Sequence, residues 1–70
     1  MDKEKKIALG RTIQKVRKQA GLTQEQLAEK LGITLTYMGY FEIGHRVPSL
    51  RMLCNIAAVL RVNVKDLIPF

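Results

Sequence analysis

The stretch Thr23–Gly44, TQEQLAEKLGITLTYMGYFEIG, decides the fold, because it predicts two short helices joined by a tight turn. Thr23 and Gln26 have the spacing of a capping box, so the first of these helices is expected to begin there. The apolar residues that this helix is expected to bury are Leu27, Ala28 and Leu31. Gly32 ends it, because glycine readily adopts the backbone conformation that closes a helix.

The second helix of the stretch is expected over about Leu35–Ile43, with Thr34 as its cap and Gly44 after its end. The connection Leu31–Thr34 is very short and contains glycine. Two short helices joined by such a turn cross steeply rather than lie antiparallel. The sequence therefore predicts helix-turn-helix geometry at about residues 23–43.

Three further helices are expected around this unit. The first ends at Gly21 and carries one apolar stripe of Leu9, Ile13, Val16 and Ala20. The fourth opens at Pro48–Ser49 and runs to about Leu60. It has two apolar stripes, so it should be the most buried helix. One stripe consists of Leu50, Leu53, Ala57 and Leu60, and the other of Met52, Ile56 and Val59. Asn63 and Asp66 predict the cap of a brief fifth helix through Ile68 that Pro69 terminates.

The length and composition allow one small domain spanning residues 1–70, and the helical spacing of the apolar residues predicts that it is all-α. The chain is too short for two cores, and dimerisation would supplement its modest stability. A single cysteine excludes an intrachain disulfide, and no apolar run is long enough for a membrane span or signal peptide. We therefore expect a cytoplasmic protein without membrane contact. The net charge of +6 favours a polyanionic partner, although Gly21–Glu42 is itself acidic, with three acids against one base.

The outer side of the third helix is the best candidate for function. At about 100° per residue, Met38 and Phe41 face inward. The residues on the other side are Thr36, Gly39, Tyr40 and Ile43, with Leu35 at the border. A short helix with this polar and aromatic face could enter a major groove, where hydroxyls and apolar groups meet base edges and thymine methyls. A plain solvated face is the alternative that periodicity leaves open.

Three segments together resemble the phage repressor and Cro family of XRE-type regulators. They are Gly21–Thr34 (GLTQEQLAEKLGIT), Phe41–Gly44 (FEIG) and Arg46–Leu50 (RVPSL), and the likeness extends over about residues 9–67. The resemblance implies a compact five-helix, lambda-repressor-like domain that binds operator DNA as a dimer through its third helix. Members of this family are the standard illustration of that docking geometry.

The resemblance also assigns roles to particular residues. The base-reading positions are Leu35, Thr36, Gly39 and Tyr40, and the backbone contacts are Gln24, Tyr37 and Arg46. Arg17 and Glu42 fall where the family has a structural ion pair between its first and third helices. Leu35 and Gly39 depart from the family, which often has glutamine and a serine or charged residue there, so we expect apolar and shape readout instead of a bidentate amide contact.

The residues after the third helix are expected to supply a two-fold interface, over about residues 49–70. The chain end has more apolar surface than a short helix can bury, and the expected interface residues are Met52, Val59, Val62, Val64, Leu67, Ile68 and Phe70. Such an interface would place two recognition helices about one DNA turn apart, roughly 34 Å, and so predicts a pseudo-palindromic operator.

Other classes of function fit the sequence less well. It has no paired carboxylates, nucleophile triad, phosphate loop or metal constellation, so we expect no enzyme, no cofactor and no metal site. His45 is alone in a loop, and Cys54 is expected to be a small buried apolar residue. With no effector domain attached, no small-molecule ligand is expected. The main alternative is an antitoxin or a restriction-modification controller with the same fold; repressor and activator both remain open.

Overall fold

The computed structural model describes residues 1–70, all of them in helices, turns or extended connections without a β-strand. Four α-helices precede one 3₁₀ helix, in the order α1 (Lys3–Gln19), α2 (Gln24–Leu31), α3 (Leu35–Glu42), α4 (Leu50–Leu60) and the 3₁₀ helix (Val64–Leu67). The expected all-α fold is confirmed, but the count of five helices is wrong, because the last element is not α-helical. None of the helices combines the length and hydropathy needed to cross a membrane.

Side-chain caps explain why the α-helices begin where they do. The predicted capping box is present: Gln26 N donates to Thr23 Oγ1 at 3.0 Å, and Thr23 N donates to Gln26 Oε1 at 2.8 Å. Thr34 and Ser49 accept from the N–H groups of Tyr37 and Met52 in the same way. Each cap satisfies one of the N–H groups that has no partner inside its helix.

The final element is a 3₁₀ turn because its hydrogen bonds span three residues. Asp66 N donates to the Asn63 carbonyl at 2.9 Å, and Ile68 N donates to the Lys65 carbonyl at 3.3 Å. Pro69 has no N–H with which to extend the ladder. The element therefore ends at Leu67, one residue earlier than the sequence predicts.

All of the helices contribute to one core. Its buried apolar residues are Leu9, Ile13, Leu27, Ala28, Met38, Phe41, Leu53, Ile56, Ala57, Leu60 and Leu67. More of these come from α4 than from any other helix, as predicted. Leu31 and Val16 are only half-buried at its margin, and Ala20 is exposed.

Two residues of α4 differ from their predicted burial. Leu50 is 71% exposed and lies outside the packed core, although Leu53, three positions later, is buried. Cys54 is also exposed, so its assignment as a buried residue is wrong. It follows the buried Leu53 by one position, about 100° further around the helix, and this rotation turns it towards solvent.

Candidate nucleic-acid interface

The turn between α2 and α3 is built around Gly32. This glycine has a φ of 71°, in the left-handed region, and Ile33 N donates to the Ala28 carbonyl at 3.0 Å. The chain therefore leaves α2 abruptly, and Thr34 starts α3 immediately afterwards. A short, hydrogen-bonded connection of this kind fixes the angle at which α3 departs from α2.

A buried polar network fixes the C-terminal end of α3. Arg17 Nε lies 2.6 Å from Glu42 Oε2, and Arg17 Nη2 lies 3.0 Å from Oε1, which makes a bidentate pair between α1 and α3. Arg17 Nη1 donates to the Leu22 carbonyl at 2.8 Å, and Gln24 Nε2 donates to Glu42 Oε1 at 3.1 Å. The Arg17 and Glu42 side chains are 7% and 1% exposed. Because these groups are buried, their hydrogen bonds are strengthened, and together with Gln24 the pair constrains α1, α2 and α3.

Close backbone packing fixes the same end of α3 from a second direction. A Cβ added to Gly10 of α1 would lie 2.3 Å from the Phe41 carbonyl oxygen and 2.7 Å from that of Glu42. Only glycine therefore allows α1 to approach the end of α3 this closely. The one sign of this role in the sequence is that Gly10 stands inside a helical pattern, where glycine is unfavourable unless packing requires it.

The outer face of α3 brings the four predicted base-reading residues together. Leu35 is 48% exposed and Tyr40 36% exposed; Thr36 is exposed and Gly39 half-buried. On the opposite side, Met38 and Phe41 are buried, as periodicity predicts. Glu42 is the one charged residue of α3, and it is buried, so the exposed face of the helix carries no charge.

Each tyrosine of α3 lies against a second aromatic ring. The Tyr37 ring is centred 4.7 Å from that of the buried Phe41. The Tyr40 ring is centred 4.7 Å from that of His45, at an interplanar angle of 50°. The Tyr40 carbonyl also accepts from His45 N at 2.9 Å and from Arg46 N at 3.2 Å, so the loop after α3 folds back onto its last turn. In the sequence His45 is an isolated loop residue, and no pattern indicates its contact with Tyr40.

The predicted backbone contacts lie around this face. Gln24 is half-buried at the start of α2, while Tyr37 and Arg46 are exposed. His45 and Cys54 do not take part in a metal cluster, since no group of His, Cys, Asp or Glu is arranged to hold an ion.

The predicted interface residues are not equally available to a partner. Leu67 is fully buried in the core, so its place in that set is wrong: the 3₁₀ turn directs it inward. Phe70 is 55% exposed, and Lys5 Nζ lies 5.6 Å from its ring centroid. The remaining members are half-buried: Met52, Val59, Val62, Val64 and Ile68.

Comparison with known proteins agrees with this geometry. The family model described as Helix-turn-helix matches residues 13–67. The uncharacterized HTH-type transcriptional regulator YazB of Bacillus subtilis (strain 168) is 40% identical over 60 residues, which cover 86% of this chain and 87% of YazB.

Two solved structures show the same fold. The restriction-modification controller protein C.AhdI from Aeromonas hydrophila is 31% identical, with a TM-score of 0.83 over 89% of this chain and 94% of C.AhdI. SinR, a master regulator for biofilm formation solved in complex with DNA, is 35% identical, with a TM-score of 0.78 over 84% of this chain and 95% of SinR. The chain therefore belongs to the helix-turn-helix family of DNA-binding transcriptional regulators.

Proposed function

We propose that this protein is a repressor or autoregulator that binds a pseudo-palindromic operator as a homodimer, with α3 in the major groove. The observation that carries the proposal is the uncharged, exposed face of α3, held in place from behind by the buried Arg17–Glu42 pair. A rigid helix whose outward groups are hydroxyls, methyls and aromatic rings fits base edges better than phosphates. The protein would act in the cytoplasm by binding alone, without catalysis, cofactor or small-molecule ligand.

We assign sequence readout to the outer face of α3. Leu35 and Tyr40 are the exposed apolar and aromatic groups there, and they suit contact with thymine methyls. Thr36 supplies a hydroxyl for a base edge. Gly39 has no side chain to hold the helix away from the groove, which permits close approach of the backbone.

We assign DNA positioning to residues beside that face. Gln24 has two amide N–H groups, and the single bond to Glu42 leaves the other for a phosphate. The N-terminal N–H groups of α2 would favour the same anion. Tyr37 and Arg46 are exposed on either side of Tyr40 in the sequence and would contact the backbone through a hydroxyl and a guanidinium.

The homodimer would form through α4 and the residues after it. The half-buried apolar side chains of this region are already packed against the core, so a second copy would complete their burial without rearrangement. The proposed interface residues are Met52, Val59, Val62, Val64, Ile68 and Phe70. Two-fold symmetry would then present two copies of α3 about one DNA turn apart, roughly 34 Å.

Selection of binding sites from random duplex DNA tests this proposal. We expect a palindromic consensus, and we expect Leu35→Ala and Tyr40→Ala each to change the base preference at one position of each half-site. Gln19→Ala, an exposed polar residue at the end of α1, is the matched control and should leave the consensus unchanged. Equal weakening on every sequence by both α3 variants would contradict the assigned readout.

A restriction-modification controller is a second candidate, favoured by one specific observation. This chain covers 94% of the controller C.AhdI, so the two proteins share nearly the whole of that regulator's length. A controller would act on genes of a restriction-modification system. Footprinting on the DNA upstream of restriction and modification genes in the source genome distinguishes it from a regulator that binds only at unrelated genes.

A further inference from the structure

We propose that His45 is a positioning residue for sequence readout: its ring holds the Tyr40 side chain in the orientation that contacts a base. The inference rests on the proposed function, in which Tyr40 reads DNA. The imidazole and phenol rings are centred 4.7 Å apart at an interplanar angle of 50°, within the range of favourable tilted aromatic contacts.

The need for such a residue follows from the exposure of Tyr40. Its side chain is 36% exposed, and a partly exposed tyrosine on a helix samples more than one rotamer. When Tyr40 is fixed in one rotamer on DNA, its side chain loses conformational entropy, and this loss weakens binding. A ring that already packs against Tyr40 in the free protein reduces the conformational entropy that is lost on binding. Tyr37 already has such a neighbour in the buried Phe41, whereas Tyr40 has His45.

The backbone shows that His45 is itself held in place. Its N–H donates to the Tyr40 carbonyl at 2.9 Å, so the loop is attached to the residue whose side chain it supports. The preceding Gly44 has a φ of 78°, and a Cβ added there would lie 2.9 Å from the Ile7 backbone. Gly44 thus turns the chain against α1 and directs His45 back over α3.

The alternative role for His45 is contact with a phosphate. Replacing the imidazole with another aromatic ring or with alanine distinguishes the two roles. Positioning requires an aromatic ring but no N–H group, so His45→Phe should preserve base preference and His45→Ala should reduce it. At the base pair read by Tyr40, we expect the preference of His45→Ala to fall by about 2- to 12-fold, the equivalent of one aromatic contact. A phosphate contact would instead be lost in both variants, with equal weakening on all sequences.

The experiment measures affinities of the full chain for the selected operator and for operators substituted at each half-site position. The variants are His45→Ala, His45→Phe, Tyr40→Ala and the double variant His45→Ala/Tyr40→Ala, with thermal melting to establish that each is folded. If His45 acts through Tyr40, the double variant should have the base preference of Tyr40→Ala alone.

Three outcomes overturn the inference while leaving the proposed function intact, provided that Tyr40→Ala changes base preference. They are an unchanged preference in His45→Ala, a loss of preference in His45→Phe equal to that in His45→Ala, or an additional change in the double variant. If Tyr40→Ala itself leaves base preference unchanged, the proposed readout fails first, and the inference fails with it.

Discussion

The two ends of the molecule's functional surface are stabilised in opposite ways. The helix α3 is held within one chain, by the Arg17–Glu42 pair and by the backbone contact at Gly10. The region from α4 onward leaves apolar side chains only half-buried at the margin of the core, and its Phe70 is 55% exposed. The helix α3 is therefore fixed by contacts within a single chain, whereas the C-terminal region has apolar surface that a second copy would cover in the proposed dimer.

This difference implies that the orientation of α3 and the spacing between two copies of α3 depend on different parts of the molecule. The angle of α3 depends on contacts that any single chain makes, while in the proposed dimer the distance between two copies of α3 would depend on how the C-terminal regions meet. Variants that remove the contacts holding α3 should impair folding together with DNA binding. Variants of the exposed or half-buried apolar residues in the C-terminal region should leave each domain folded and weaken mainly the binding of palindromic DNA.

Breaking the buried ion pair should have the largest effect. Arg17→Met leaves Glu42 charged and buried without its partner, and we expect a loss of about 3–5 kcal/mol in the free energy of unfolding. Urea denaturation followed by circular dichroism measures it. Arg11→Met changes an exposed arginine of the same helix and should cost less than about 0.5 kcal/mol. Similar losses in both variants would show that the pair has no special importance.

Two glycine substitutions should change the stability of the fold in opposite directions. Gly10→Ala places a methyl group against the Phe41 and Glu42 carbonyls and should destabilise the fold by about 1–3 kcal/mol. Gly39→Ala has no neighbour nearer than 3.9 Å and should stabilise α3 by about 0.5–1 kcal/mol. Thermal melting measures both. Gly39→Ala should nevertheless alter operator affinity, and stabilisation by Gly10→Ala would refute the close packing of α1 against α3.

Removal of an exposed aromatic group should weaken the proposed dimer without unfolding it. Phe70→Ser should lower the self-association constant by about 10-fold or more, because burial of a phenylalanine side chain contributes about 1.5–3 kcal/mol. Sedimentation equilibrium across a concentration series measures this. Ile43→Ser removes another exposed apolar group, beyond the end of α3, and self-association should not respond. A wild-type chain that remains monomeric at every concentration would remove the proposed interface.

Cys54→Ser should have the smallest effect, within about 0.5 kcal/mol of the wild-type stability, because the thiol is exposed. Ala57→Ser on the same helix buries a hydroxyl in the core and should cost more, about 1–3 kcal/mol. In the native protein, a thiol reagent should modify Cys54 without denaturant. Protection of the thiol that persists at the lowest protein concentration would contradict its exposure.

The fold could be predicted where neighbouring residues decide it. Thr23, Gln26 and Gly32 act on backbone groups a few positions away, so their spacing predicts α2 and its ends. Met38 and Phe41 follow from helical periodicity alone. In contrast, three features depend on which distant element lies opposite a residue: the exposure of Leu50, the burial of Leu67 and the glycine requirement at position 10. The local sequence pattern does not indicate those tertiary contacts.

The candidate site was predictable in part for the same reason. The outward positions of α3 follow from its periodicity, and the Arg17–Glu42 assignment came from family resemblance. Nothing in the sequence joins His45 to Tyr40, because their contact depends on the direction that Gly44 gives to the loop. The sequence therefore predicts the outward residues of α3 but not the residue proposed to orient one of their side chains.

The absence of charge on the exposed face of α3 has a consequence for how the protein would respond to ionic strength. Counterions are released where cations meet phosphates, and α3 offers none of those cations. Added salt should therefore loosen the complex through Arg46 and other basic groups while the ranking of target sequences stays the same. A cell with a changing ionic interior would then change how many sites are occupied, but not which ones are preferred.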